Sequence, residues 1–185
     1  TGWIVCSRRP KSSKPTGTID SSKPMNREHR LRRRIRQLTW LFIIGLVLSG
    51  ATAIPLPNEV GWLANWADQG NPSAGPEIWL NRVHEALRQT QAQYPFLFYG
   101  TDWLAFGHFI IALVFVGALR DPVRNRWLFD FGLIACALVI PYALGFGALR
   151  GIPWWWRLID CSFGVFGFIP LWFCRRWAEE LEPKP

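Results

Sequence analysis

The segment GIPWWWRLIDCSFGVFGFIPLWFCRRW, residues 151–177, constrains this chain more than any other. Aromatic and aliphatic side chains fill it. Trp154, Trp155 and Trp156 stand at one end, and Trp172, Arg175, Arg176 and Trp177 at the other. An apolar rod with an aromatic belt and a basic anchor is the pattern of a membrane span. Backbone polar groups inside lipid must be satisfied internally, so the rod reads as a helix. Within it, Arg157 and Asp160 are opposite charges about one helical turn apart.

Three further apolar runs follow the same logic. The first, 38–54, has about 17 residues, the lower edge of the spanning range. It has a rival reading. A basic stretch, a short apolar run and Ala51-Thr52-Ala53 also resemble a signal peptide with its cleavage site. The run continues through Ile54 to Leu56, which favours a retained span. Gly45, Ser49 and Ala53 form a small-residue stripe suited to helix packing. The second run is 102–119 and the third 127–148, interrupted at Pro141 and loosened by Gly145 and Gly147. The fourth is 153–174. Pro122 keeps the second and third from fusing into one helix.

Charge sets the expected orientation. Of 21 Lys and Arg, six arginines lie in the arm 25–37, and the turn 120–126 adds Arg120, Arg124 and Arg126. The loop 57–100 has only Arg82 and Arg88 against Glu59, Asp68, Glu77 and Glu85. The positive-inside rule then places the arm, the turn 120–126 and the tail 178–185 in the cytoplasm, with 57–100 outside. The same rule outweighs a nucleic-acid reading of the net charge of +8, since no groove-reading helix or stacking sheet accompanies the arm. Met25 is the only methionine and reads as the natural start. Residues 1–24, rich in Ser, Pro and Lys, then form a disordered segment upstream of it.

The outer loop is not featureless. Val60, Leu63, Trp66 and Ala67 fall at helical spacing, as do Trp79, Val83, Ala86 and Leu87. Pro76 marks a helix start and Tyr94-Pro95 a stop. Two short amphipathic helices are expected there, with tryptophans at headgroup level. His84, between Arg82 and Glu85, is expected on a solvated face. The fold class is therefore an all-α integral membrane four-helix bundle with short amphipathic helices in the outer loop.

Ionisable groups within spans cost about 3 kcal/mol each near the centre, so each needs an account. Asp102, His108, Tyr142, Arg157 and Asp160 are expected at similar depths in the outer half, where they would converge. Such a cluster is either an Arg157–Asp160 pair that fixes helix register with His108 bonded to it, or a polar pocket for a ligand or proton. Asp130, near the opposite end, is expected to pair with Arg126 or Arg124. Cys6, Cys136, Cys161 and Cys174 show no CxxC spacing and read as structural thiols. His108 is the only histidine within a span, so the two axial ligands of a transmembrane haem are lacking. No metal-ligand spacing, phosphate loop or nucleophile elbow is present. Neither a catalytic set nor a cofactor is expected.

At YPFLFYGTDWLAFGH (94–108), ALRDPVRNRW (118–127) and residues 151–176, the chain resembles a group of bacterial multi-pass inner-membrane proteins with no assigned activity. The resemblance covers about residues 38–181 and implies a small multi-pass protein of the bacterial inner membrane. It transfers no catalytic residue. The expected function is a structural or accessory membrane component that binds lipid or a membrane-protein partner. The alternatives are a small transporter or ligand-binding protein using the polar pocket and, with less support, an enzyme with His108 and Asp160 as acid and base.

Overall fold

The computed structural model describes residues 22–68 and 75–182. They form six α-helices: α1 (Ser22–Ala53), α2 (Leu56–Asp68), α3 (Gly75–Gln93), α4 (Tyr99–Arg120), α5 (Arg126–Leu149) and α6 (Trp154–Glu180). A 3₁₀ turn, Pro95–Phe98, leads from α3 into α4. No strand occurs among the described residues. Four helices, α1, α4, α5 and α6, are long and apolar enough to cross a membrane. The arm and the first apolar run are one continuous helix of 32 residues. At 1.5 Å per residue it is about 48 Å long, well beyond a hydrocarbon core of about 30 Å. The segment 1–21, including Cys6, lies outside the described residues.

The long helices pack in the order α4–α1–α6–α5. Their largest fully buried side chains lie at one end, where α1 begins, α6 ends and α4 turns into α5. Ile35, Phe115, Leu128, Phe129 and Leu171 are sealed there, with Phe42 and Phe115 at a ring separation of 4.8 Å. Thr39 and Cys174 are buried beside them. The Thr39 hydroxyl donates to the Ile35 carbonyl at 2.8 Å, and the Cys174 thiol lies 3.6 Å from the same oxygen. The hydroxyl is thus satisfied within its own helix.

Toward the opposite end the four helices continue as two pairs, α1 with α4 and α5 with α6. Each pair is closed by a missing side chain. A Cβ at Gly50 of α1 would lie 3.0 Å from the Ala105 carbonyl of α4, and one at Gly164 of α6 would lie 2.6 Å from the Cys136 carbonyl of α5. The expected stripe on α1 is displaced: Gly45 meets nothing within 4 Å, and the neighbouring Gly50 makes the approach. Composition identifies a helix that can be approached closely, whereas the partner's position selects the face.

Both turns of the long helices are locally specified. Asp121 Oδ1 accepts the backbone N–H groups of Val123 and Arg124, and the Asn125 amide donates to the Gly117 carbonyl in the last turn of α4 and to the Asp121 carbonyl just beyond it. After α5, Gly151 takes φ +68°, the Gly151 N–H bonds to the Ala148 carbonyl and the Ile152 N–H to the Gly147 carbonyl. This is the Schellman arrangement, which needs a left-handed residue at Gly151.

Ion pairs gather at the closed end. Arg27 meets Glu180 at 2.8 Å, Arg126 meets Glu182 at 2.7 Å, and Arg175 meets Asp130 at 2.6 Å. The expected Asp130 pairing is corrected. Asp130 on α5 faces its neighbour α6, while Arg126 reaches the end of α6 instead. All these carboxylates and guanidiniums are partly exposed. Asp130→Asn is thus expected to cost at most about 1 kcal/mol, seen as a small fall in melting temperature in detergent.

Helices α2 and α3 form a hairpin that stands apart from α5 and α6 and joins the rest at its ends. Val60 and Ala64 are buried, whereas Trp62 and Trp66 are about three-quarters exposed. His84 is not on a solvated face. It packs over Gly61, where a Cβ would lie 2.7 Å from its ring, and its Nδ1 is buried without a hydrogen-bond partner. Its neighbour Glu85 is solvated. Hydrogen bonds from Arg88 and Gln89 hold that carboxyl down to about 2.

Candidate functional site

The five polar residues picked out in the spans are divided between the two helix pairs. Asp102 and His108 belong to the α1–α4 pair. Asp102 is exposed in the first turn of α4. His108 Nδ1 lies 2.8 Å from the Leu104 carbonyl. A carbonyl only accepts, so that nitrogen carries the proton. The ring is held to its own helix, and its Cβ abuts Gly50 of α1.

Tyr142, Arg157 and Asp160 belong to the α5–α6 pair. Among the described residues Arg157 and Asp160 form no ion pair. Arg157 instead crosses to α5, where its Nη1 donates to the Leu144 carbonyl at 3.3 Å. The path exists because Gly147 has no side chain: a Cβ there would lie 2.6 Å from Arg157 Cδ. Arg157 Nε is buried and without a hydrogen-bond partner.

Tyr142 and Asp160 share an open groove of about 570 Å³. One face of α5 forms most of its wall, with Leu138, Tyr142, Phe146 and Arg150 at four-residue spacing. Ile152 and Asp160 complete it from the turn and α6. Tyr142 and Phe146 stack with ring centres 4.5 Å apart. The groove is therefore apolar along its length, with a phenol, a carboxylate and a guanidinium placed on it. That combination suits an amphiphile with an apolar body and a few polar atoms.

Arg150, at the end of α5, joins the groove without having been among the five residues expected to converge. The four-residue spacing from Leu138 through Arg150 carried the signal. The convergence expected from depth alone fails for a geometric reason. Equal depth does not make helices neighbours, and α4 and α6 share no close backbone contact. His108 and Asp160 thus stand on helices that do not pack together. Among the described residues no group of three His, Cys, Asp or Glu is gathered as a metal site.

No protein-family model, curated protein or solved structure matches the chain.

Proposed function

We propose that this chain is a four-span integral membrane protein that acts as a non-enzymatic accessory component, binding lipid or a membrane-protein partner. One observation carries the reading: the four long helices turn their apolar side chains outward. Only 11% to 22% of their most apolar stretches is buried. Leu41, Leu48, Leu113, Ile134 and Phe166 are each about 60% exposed or more. Water-soluble monomers rarely expose apolar patches beyond a few hundred Å². A lipid surround accounts for this surface. The arginine distribution supports a cytoplasmic location for both ends and the turn 120–126. The resemblance in the quoted segments supports the bacterial inner membrane as the location.

Cysteine labelling tests the topology. In a variant lacking the native cysteines, Gln91→Cys is expected to react with a membrane-impermeant maleimide in intact cells. Arg124→Cys is expected to react only after permeabilisation. Reaction of both from one side would overturn the four-span arrangement.

The α5 groove favours a second reading, a ligand-binding or small transport protein that takes an amphiphile beside Tyr142 and Asp160. Mass spectrometry of protein purified in mild detergent would then find a stoichiometric small molecule. Leu138→Trp, which fills the groove, is expected to lose it. Retention of that molecule by the filled variant would remove this reading.

A further inference from the structure

Three arginines gather around one pocket at the closed end of the α1–α4 pair. Arg32 and Arg36 stand one turn apart on α1, and Arg120 is the last residue of α4. They line a pocket of about 140 Å³ floored by Ile35, Leu119 and Pro122. At about 30 Å³ per water molecule, this holds a phosphate group and a few attached atoms. No acidic side chain lines it. Arg32 is shared with Glu28 at 3.0 Å. Arg36 and Arg120 have no ion-pair partner among the described residues. A recess lined by three cationic residues and no carboxylate favours occupation by an anion.

The level of the pocket names the anion. Leu38 opens the apolar run of α1 two residues after Arg36, and Arg120 closes the apolar run of α4. Trp40, half exposed, follows Arg36 by one turn. The pocket therefore lies where apolar surface gives way to charge, which in a bilayer is the plane of the lipid phosphates. We infer that Arg32, Arg36 and Arg120 bind the phosphate of an anionic phospholipid from the leaflet on that side. The assignment rests on the membrane-spanning reading above. A zwitterionic lipid fits less well, because its own ammonium group offsets the phosphate.

The full chain in neutral detergent, titrated with short-chain phosphatidylglycerol and followed by native mass spectrometry, tests this. Saturable binding is expected, with phosphatidylcholine and inorganic phosphate much weaker. Arg36→Gln with Arg120→Gln is expected to weaken phosphatidylglycerol binding about thirtyfold, from two cations at an anionic lipid surface. Arg36→Lys with Arg120→Lys, which keeps the charge, is expected to retain most of it. Arg30→Gln with Arg33→Gln, in the same arm but outside the pocket, should change it less than about threefold. Equal weakening by that second pair would replace the site by diffuse charge and overturn the inference. So would inorganic phosphate binding as tightly as the lipid. Absence of phosphatidylglycerol binding by a chain that still requires detergent would overturn the site alone. A chain that stays monomeric without detergent would remove the membrane reading itself.

Discussion

Replacing Gly164 by leucine is expected to separate α5 from α6. The missing Cβ would lie 2.6 Å from the Cys136 carbonyl oxygen and 3.4 Å from Val139 Cβ. The oxygen belongs to a helix backbone and cannot swing aside as a side-chain tip would. Even alanine forces the helices apart, at a cost of about 1–3 kcal/mol typical of overpacking. Leucine adds three more carbons to the same gap and is expected to exceed that range. The change also widens the α5 groove, because Val139 and Asp160 line it. Thermal unfolding in detergent reads the effect, with Gly107→Leu as the control, since nothing lies within 4 Å of that Cβ position. Equal melting temperatures for the two variants would show that the approach of α6 to α5 is not rigid.

Truncating Phe115 to alanine is expected to be the other large loss. The ring is fully buried at the closed end, packs on Phe42, and approaches the bare backbone at Gly132. Removing a buried phenyl ring costs about 3–5 kcal/mol, part lost contact and part cavity. Leu113, two residues away, is exposed. Leu113→Ala should therefore change the detergent-solubilised protein far less. Similar losses at both positions would mean that the closed end is not a packed core.

The sequence made the four apolar helices legible because length and composition suffice to define them. It also disclosed α2 and α3, α2 through its helical spacing of apolar residues and α3 also through the start at Pro76 and the stop at Tyr94-Pro95. Gly45, expected at a packing face of α1, meets nothing within 4 Å, whereas Gly132 and Gly164 lie in close contact. A glycine reports what a helix permits, while its neighbours decide whether the permission is used. The same limit applies to the polar residues. Arg157 and Asp160 are close in sequence, yet the long arginine reaches across Gly147 to a carbonyl of α5. His84 lies among charged neighbours in sequence, but it faces Gly61 across the hairpin. Each of these outcomes depends on a helix distant in the chain, which local spacing does not encode.

The attachment of the α2–α3 hairpin has a mechanical consequence. One foot is the end of α1 and the other, through the 3₁₀ turn, is the start of α4. These two helices are each other's partners. A pull on the exposed tryptophans of α2 therefore loads both legs of a single leaf. The second leaf, α5 with α6, feels it mainly through the distant seam around Phe115 and Leu171, so the molecule resembles a clothes-peg gripped on one arm.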